Sequence, residues 1–564
     1  MPRTPLLSQI RRLAAEHRLA LHRRVPVDVV RHERAEAAVK RGTTRRDLLL
    51  GSAAVATLAA CKKDETTPAP TPGAPRIAIV GAGIAGLSAA LTLRDKGVAA
   101  TVYDMFTHRV GGRMVTERGS EPTGCNSCHV APGTAPSMSW SDGQVTDIYG
   151  ELIDSGHTTI HALAQRFGLA LTDALAAQPV GSTETWYFNG GYYTQADADT
   201  DFAAIYDALM ADADAAGWPV TFDTVTPAGR VLDDLSIYDW IESRVPGGHT
   251  SRLGRLLDAA YCMEYGAETT DQSSLNLISM LSGSSATLSV LGESDEQYRL
   301  AGGIDQLPRA IGDHLGIGDV VKLGFEFQAL RMEADGSYTL SFDTDGGTEE
   351  VRADYVVLAI PFGALRTRDF SAAGFDALKE QAIMEQGQGR NCKLQLQFTA
   401  RLWNQAGAWG IGNGSSYSDT GYQLSWDPTR GQAGTSGILV GYNGGDAAGA
   451  TALAHPYGNS GDPDVVADAQ AFLAQIEPVF PGLTALWNGK CAETKAHIDR
   501  RFNCSYSYYR VGQTQDICGY EREPQGNVFF CGEHTSIENL GFMEGAASEG
   551  IAAGEAVLAA LGIA

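Results

Sequence analysis

The chain has 564 residues, of which 44% are apolar and 20% are charged, a composition typical of a globular protein with a large core. This length is enough for two or three domains. The formal net charge of −24 argues against a nucleic-acid-binding protein, and we expect no nucleic-acid partner.

The N-terminal region is basic, because residues 1–46 carry twelve Lys/Arg and four Asp/Glu. Arg45 and Arg46 precede an apolar run of thirteen residues, whereas about 20 are needed to span a bilayer. This arrangement resembles a twin-arginine export signal, and LAAC, ending at Cys61, resembles a lipoprotein cleavage box in which Cys61 carries the lipid. The alternative is a short buried helix that follows a basic helix.

A Pro-rich linker, residues 62–75, leads into a glycine-rich turn. Gly81, Gly83 and Gly86 form G-x-G-x-x-G after an apolar strand, before a helix over 87–96. The first glycine makes the tight turn, the second lets the backbone approach a pyrophosphate, and the third lets helix and strand pack closely. A second strand ends at Asp104, where an acidic side chain binds ribose hydroxyls in NAD and FAD proteins.

The segment RVGGRMVT, residues 109–116, distinguishes between these two cofactors. Its Gly-Gly-Arg, shortly after the acidic strand end, resembles the flavin amine oxidase superfamily of monoamine, polyamine and L-amino-acid oxidases and related dehydrogenases. The resemblance extends over roughly 76–564 and implies FAD. It places Gly111, Gly112 and Arg113 against the FAD pyrophosphate. A surface turn with a solvated arginine is the alternative.

The motif CNSCH, residues 125–129, lies in a segment that is longer than is usual in the family. C-x-x-C-H is the pattern of c-type haem attachment, with Cys125, Cys128 and His129 as the candidate haem-binding residues. We favour the alternative of a disulfide or a dithiol in a loop, because export of a folded chain is a poor fit with haem attachment to an unfolded one. We therefore expect no metal site.

Four further segments match the family. Residues 149–169 resemble the segment after the dinucleotide fingerprint, and 301–311 resemble the strand and turn that return the chain to the FAD domain. Residues 320–330 resemble the strand that contacts the adenine, although Phe327 stands where the family usually has valine. Residues 353–361 have the composition of a buried strand.

The stretch NCKLQLQF, residues 391–398, alternates like a strand, with Lys393 and two glutamines on one face and apolar side chains on the other. The pattern alone allows Lys393 to be a cation on a solvated strand face. The family has a lysine on such a strand that holds a water near flavin N5. Phe398 and Trp403 follow in the order found there, so the resemblance predicts that Lys393 is catalytic.

The C-terminal segment 527–558 predicts a buried strand, a turn with an acid and a long helix. The resemblance places Gly532 and Glu533 at the ribityl or pyrophosphate region of FAD. It also places the Met543 N–H at the flavin pyrimidine edge, where a helix N-terminus stabilises the negative charge of reduced flavin. A strand–helix packing motif with an incidental glutamate is the alternative.

Two aromatic residues are candidate substrate contacts. Phe542 and Tyr506 match positions where monoamine oxidases place rings that orient an amine, and ordinary core packing is the alternative. The segment 150–159 lacks the arginine that often binds the carboxylate in amino-acid oxidases, which disfavours an α-amino acid. Cys504 lies near the position of the flavin-linked cysteine of monoamine oxidases, but an alternative register over Tyr506 favours noncovalent FAD.

The predicted fold class is α/β, with a Rossmann-type FAD-binding domain assembled from three segments and an α+β substrate-binding domain. The predicted boundaries are a signal over 1–61, the linker over 62–75, FAD-binding segments over 76–160, 301–365 and 496–564, and substrate-domain segments over 161–300 and 366–495.

The predicted function is that of an exported FAD-dependent amine oxidase, either periplasmic or otherwise extracytoplasmic, and tethered to the membrane by a lipid on Cys61. Hydride would pass from a small-molecule amine to flavin N5, the imine would hydrolyse, and O2 would reoxidise the flavin and yield H2O2. One alternative is an amine dehydrogenase of the same fold that passes electrons to a cytochrome or quinone. Another is a non-catalytic flavin-binding protein.

Overall fold

The computed structural model describes residues 75–118, 139–285 and 287–563. The twin-arginine pair, Cys61 and the CNSCH motif lie outside these residues, so the predictions made on them stay predictions. No helix within the described ranges has the length and apolarity needed to cross a membrane.

One of the two main sheets is parallel and has five strands, counted within the described residues. Its strands are, in order across the sheet, Val528–Phe530, Tyr355–Leu358, Ile77–Val80, Thr101–Asp104 and Val321–Leu323. They come from three separated parts of the chain. Such central strands are buried on both faces, which explains the continuous apolar run at Ile77–Val80.

Two helices pack closely beside this sheet, Ile84–Asp95 and Met543–Ala560. Gly550 permits this approach, since a Cβ atom there would lie 2.2 Å from the carbonyl oxygen of Ala85. The first helix begins three residues before the predicted start, because the extended residue Gly83 is its N-cap. No side chain caps the N-terminus of either helix, and residues from the first turn of each line one common cavity.

The second main sheet is mixed and has nine strands in the described part of the chain. In order they are Tyr457–Asn459, Trp487–Thr494, Asn391–Phe398, Gly437–Gly444, Leu424–Trp426, Gly410–Ser418, Thr183–Phe188 and Gly191–Tyr192, with Ala406–Gly407 paired to Gly410–Ser418. The strand that carries Lys393 is interior, because it pairs with a neighbour on each side.

The described residues contain further α-helices. They are Thr158–Arg166, Gln195–Ala216, Pro227–Asp233, Ile237–Arg244, Arg252–Tyr265, Ser274–Leu281, Gln306–Leu315, Phe362–Leu365, Ala377–Glu385, Gly445–Gly449, Pro463–Ile476 and Gln513–Ile517. Smaller sheets join Gly347–Ala353, Tyr338–Thr344, Glu326–Met332 and Asp369–Ala372, and pair Thr116–Glu117 with Thr146–Asp147, Leu171–Asp173 with Tyr298–Leu300, and Gly387–Gln388 with Ser507–Tyr508.

The predicted fold class is confirmed, whereas the individual domain boundaries stay predictions. Two local predictions need correction. Residues 301–311 are a turn followed by the helix Gln306–Leu315, and the strand lies just before them at Tyr298–Leu300. Residues 320–330 contain two strands rather than one, since the chain turns at Gly324, where φ is +79°.

Candidate active site

A continuous cavity runs along the carboxyl ends of the parallel strands and reaches the strand that carries Lys393. Its wall includes Gly81, Asp104, Ala359 and Gly532, each at or just beyond the end of one of these strands. Ligands of open α/β sheets bind at this edge, because loops and helix N-termini converge there.

The three fingerprint glycines have different environments. A Cβ atom at Gly81, where φ is +105°, would lie 2.8 Å from the carbonyl oxygen of Ala359, and one at Gly86 would lie 1.9 Å from that of Gly81. A Cβ atom at Gly83 would meet no atom within 4 Å. Gly83 therefore borders open cavity beside the uncapped N-terminus of the first helix, where free N–H groups favour a phosphate.

Asp104 secures this turn. One of its carboxylate oxygens accepts the N–H of Ala82 at 2.6 Å, and the other accepts the N–H of Phe106 at 2.8 Å. Burial raises the pKa of Asp104, although these hydrogen bonds favour the ionised form. The residue also lines the cavity, and each oxygen can accept a further bond, so its binding to ribose stays a prediction.

The predicted Gly-Gly-Arg lies directly on the glycine turn. Gly111 and Gly112 both have positive φ angles, and the N–H of Gly111 donates to the carbonyl oxygen of Ala82 at 2.8 Å. Arg113 donates from Nη1 to Glu533 Oε1 at 3.1 Å. This ion pair joins the two motifs that the sequence indicated separately, and both line the cavity.

Glu533 connects several loops. It is buried, and its second carboxylate oxygen accepts the N–H of Gly541 at 3.1 Å, just before the last helix. Phe542 is the extended N-cap of that helix, and no side chain caps it. Met543 and Ala546, in its first turn, line the cavity, whereas the contact of the Met543 N–H with the flavin stays a prediction.

His534 is a residue that the sequence analysis missed. Burial, reinforced by the positive charge of Arg113, lowers its pKa to about 3, so the ring is neutral at physiological pH. Neither ring nitrogen has a hydrogen-bond partner among the described residues, although His534 lines the cavity. These orphaned nitrogens, the open face of Gly83 and the two uncapped helix N-termini fit a dinucleotide cofactor with a polar ring system such as FAD.

Lys393 is buried, so the alternative interpretation of this residue as a cation on a solvated strand face is wrong. Every residue of its strand is buried. The polar face packs on residues 141–151, where Gln395 donates to the carbonyl oxygen of Asp147 at 3.0 Å. Lys393 Nζ donates to Glu151 Oε2 at 2.7 Å and to the carbonyl oxygen of Tyr149 at 3.2 Å.

Glu151 is the second residue that the sequence analysis missed. Burial alone would raise its pKa, but Lys393 and then Arg299 hold the pKa of Glu151 below its ordinary value. The ion pair lies where the cofactor cavity meets a second chamber, since Lys393 lines both. The sequence does show an acid within the GELID segment. Its ion pair with Lys393 could not be predicted, because Lys393 lies on a strand 242 residues away.

Aromatic side chains separate the two spaces. Tyr442, Tyr506 and Phe542 line both of them, and the hydroxyls of the two tyrosines are 3.3 Å apart. Trp426 lies on the chamber side, with Lys393 Nζ 5.1 Å from its ring centroid. The structure therefore places both predicted aromatic residues at this boundary and adds two more.

The cysteines of the described residues are all free and buried: Cys262, Cys392, Cys491, Cys504, Cys518 and Cys531. The Cys504 thiol donates to the carbonyl oxygen of Phe502 at 3.4 Å, and Cys504 is not among the residues that line the cavity. Burial raises the pKa of Cys504 to about 12, so it is a thiol rather than a nucleophilic thiolate.

Comparison with known proteins agrees with this geometry. Residues 84–558 match the model of the flavin containing amine oxidoreductases, and the chain belongs to that family. It is therefore an FAD-dependent oxidoreductase.

Two curated relatives and one solved structure illustrate the similarity. The flavin-dependent L-tryptophan oxidase RebO of Lentzea aerocolonigenes is 24% identical over 86% of this chain and 98% of its own length. The putative L-amino-acid oxidase YobN of Bacillus subtilis (strain 168) is 25% identical over 45% of this chain, and the match spans about half (51%) of YobN. Cyclohexylamine oxidase from Brevibacterium oxydans IH-35A shares the fold, with a TM-score of 0.69, 21% identity, and coverage of 87% of this chain and 100% of that one.

Proposed function

We propose that the protein is an exported FAD-dependent amine oxidase that acts on a small-molecule amine and uses O2 as its electron acceptor. The observation that carries this proposal is the buried Lys393–Glu151 pair at the junction of two spaces. One space has the glycine turn and helix N-termini for a dinucleotide, and the other has the aromatic rings for an amine.

The bound flavin supplies the oxidant that accepts a hydride from the carbon next to the amine nitrogen. Gly83 and the N-terminus of the first helix would hold the pyrophosphate, and the helix N-terminus at Met543 would stabilise negative charge on the reduced flavin. Tyr442, Tyr506 and Phe542 line both spaces and orient the amine at their junction. Glu151 fixes the Lys393 ammonium at the junction, so that it is positioned before substrate enters.

We favour an amine over an α-amino acid as substrate. Among the described residues, the chamber lining contains four carboxylates, Glu151, Asp154, Glu264 and Glu296, and a single cation, Lys393, which is already paired. A substrate carboxylate would find no unpaired cation in this lining, whereas the oxygens of the acids can accept hydrogen bonds from an ammonium. L-Amino-acid and amine oxidases both occur among the similar proteins, so this lining is the feature by which we choose between them.

The test is a panel of alkylamines and α-amino acids, with peroxide measured for each substrate. Peroxide formation with amines and none with amino acids supports the proposal. The reverse pattern would assign the chamber to amino acids and overturn it.

A dehydrogenase is the second candidate, and one observation favours it. Glu151 neutralises Lys393, which weakens the positive charge available to stabilise negative charge that develops on dioxygen. Flavin that is reduced rapidly by amine, but is reoxidised by a quinone or a cytochrome and not by O2, would establish this alternative. A haem absorption band would add CNSCH to the electron path.

Noncovalent FAD is part of the proposal, supported by the position of Cys504 outside the cavity lining. Acid precipitation should leave all flavin in the supernatant. A yellow precipitate would mean a covalent link.

Export and lipid attachment form a separate part of the proposal, based on the sequence of residues 1–61. Changing Arg45→Lys together with Arg46→Lys should leave the precursor in the cytoplasm. Cys61→Ser should remove the lipid anchor. Unchanged membrane fractionation in both variants would refute this part.

A further inference from the structure

The strand Asn391–Phe398 carries another buried polar side chain two positions before Lys393. Asn391 is 3% exposed and lies on the same face of the strand as Lys393, since side chains alternate along a strand. Like Lys393, it lines the cofactor cavity. The strand therefore presents two polar side chains to this cavity.

The side-chain amide of Asn391 joins two other parts of the chain. Its Nδ2 donates to the carbonyl oxygen of Met263 at 2.7 Å, and its Oδ1 accepts the hydroxyl of Ser505 at 2.5 Å. Met263 lies in the last turn of the helix Arg252–Tyr265, where carbonyl groups lack partners within the helix. Asn391 therefore connects the C-terminus of this helix to the segment that carries Ser505.

Two glycines allow the helix to approach the strand so closely. A Cβ atom at Gly266, where φ is +66°, would lie 2.2 Å from Asn391 Oδ1. A Cβ atom at Gly444, which pairs with Asn391 on the neighbouring strand, would lie 2.3 Å from the carbonyl oxygen of Cys262. A larger residue at either position would push the end of the helix away from Asn391.

Tyr506 shares a hydrogen-bond acceptor with Asn391. The Tyr506 hydroxyl donates to the carbonyl oxygen of Met263 at 3.2 Å, which is the oxygen that Asn391 Nδ2 also binds. The residue before it in the chain is Ser505, whose hydroxyl binds Asn391 Oδ1. Asn391 thus holds the backbone next to Tyr506 through Ser505, and it fixes the acceptor of the Tyr506 hydroxyl.

We propose that Asn391 is a positioning residue that sets the ring of Tyr506 at the junction of the two spaces. The inference rests on the proposed function, because Tyr506 is one of the aromatic side chains that orient the amine there. Tyr506 lines both spaces, whereas Asn391 lines the cofactor cavity alone of the two. An amide suits this task because it donates with its nitrogen and accepts with its oxygen, whereas an ionised carboxylate only accepts.

The first experiment measures flavin reduction by a saturating primary alkylamine, followed by stopped-flow absorbance. Asn391→Leu keeps the size of the side chain and removes both hydrogen bonds. The rate of flavin reduction should fall at least about tenfold, because a displaced ring no longer holds the amine in its reacting geometry. The FAD content by absorbance should stay at the wild-type level.

Asn391→Asp tests the two hydrogen bonds separately. An ionised aspartate keeps the acceptor for Ser505 but turns an oxygen towards the carbonyl of Met263. A protonated aspartate regains the donor, so the rate of this variant relative to wild type should rise as the pH falls. Asn443→Asp is the matched control, since Asn443 lies on the neighbouring strand, lines neither space and uses its Oδ1 to accept the N–H of Gln423 at 3.0 Å. It should reduce at the wild-type rate at every pH.

A double-mutant cycle distinguishes positioning from a purely structural role. In Tyr506→Ala there is no ring to position, so adding Asn391→Leu should slow flavin reduction by less than about twofold. Equal factors with and without the Tyr506 ring would overturn the inference, because Asn391 would then act through another group.

Crystal structures of the FAD-loaded wild type and Asn391→Leu make the inference independent of turnover. In the variant, the Tyr506 hydroxyl should no longer lie within hydrogen-bond distance of the carbonyl oxygen of Met263. An unmoved ring would overturn the inference. If the leucine variant does not bind FAD, Asn391→Asp at alkaline pH takes its place in the cycle and in the crystals.

The outcomes separate the two proposals. If no amine reduces the flavin of the wild type, the proposed function fails, and the crystal structures alone decide the role of Asn391. If amines reduce the flavin but the ring of Tyr506 stays in place in the variant, this inference fails and the proposed function stands.

Discussion

Replacing Lys393 with methionine should destabilise the protein and slow turnover by two separable mechanisms. The ammonium and the Glu151 carboxylate are 2.7 Å apart, with side chains only 4% and 2% exposed. Removing one partner of such a buried pair costs about 3–5 kcal/mol, because the remaining charge is left without compensation. Glu151 can instead take up a proton, which from its ordinary pKa of 4.5 costs about 3 kcal/mol at pH 7. We therefore expect a loss of about 3 kcal/mol in the free energy of unfolding.

The sign of the pH dependence follows from the same pair. In the wild type, Lys393 lowers the pKa of Glu151, so the carboxylate contributes stability above its unfolded pKa of 4.5 and loses it as the pH falls through the lowered value. In Lys393→Met, burial raises the pKa of Glu151, and the neutral acid predominates in the folded state. The difference in stability between the two proteins should therefore shrink as the pH falls towards 4.5.

The assay combines urea unfolding with stopped-flow spectra of flavin reduction and reoxidation. Lys393→Met/Glu151→Leu removes both charges, so it should regain most of the lost stability. Its turnover should stay at least about tenfold below wild type, or roughly 1.4 kcal/mol of barrier, if Lys393 assists catalysis. A loss below about 0.5 kcal/mol in Lys393→Met would refute the buried pair. Wild-type rates in both half-reactions of the double variant would refute the catalytic role.

Other variants test the rest of the site. Gly83→Leu should fold normally yet fail to load flavin, because φ is −70° and the new side chain would enter the cavity; a normally yellow protein would contradict this. The pKa values of Glu264 and Glu296 are about 8 in the folded protein and 4.5 ordinarily, so between these values the folded state binds more protons than the unfolded state. Their contribution to the free energy of unfolding should therefore fall as the pH rises from 4.5 to about 8. A plot of urea midpoint against pH should be less steep for Glu264→Gln/Glu296→Gln than for wild type, and equal slopes would contradict the raised pKa values. Cys504→Ser should leave flavin content unchanged by absorbance, whereas flavin loss would indicate a covalent link.

Local patterns predicted the nucleotide-binding features well. Gly81 and Gly86 were identifiable because a strand, a tight turn and a helix leave a characteristic spacing, and the structure has both in close backbone contacts. The strand Asn391–Phe398 was predicted with its observed bounds from alternation alone. Alternation did not predict the environment of the strand. Polar and apolar residues alternate in the same way whether the polar face contacts water or, as here, residues 141–151.

The second chamber could be recognised only from the tertiary structure, because its lining comes from separated segments of the chain. Glu264 lies on a helix and Glu296 in a loop 32 residues later, and neither belongs to a motif with fixed spacing. No sequence pattern predicts that these acids come together, or that Glu151 pairs with Lys393. Arg113 and Glu533 were identified separately, each from its own motif, but their contact across 420 residues appears only in the fold.

The most direct test of the account is anaerobic addition of an amine to the flavin-loaded protein, followed by addition of oxygen. The account predicts that the oxidised flavin spectrum bleaches in proportion to the amine added and returns with oxygen, with one peroxide formed for each amine oxidised. A flavin spectrum that stays oxidised with every amine tested would contradict the central claim that this cavity and chamber form an amine-oxidising site.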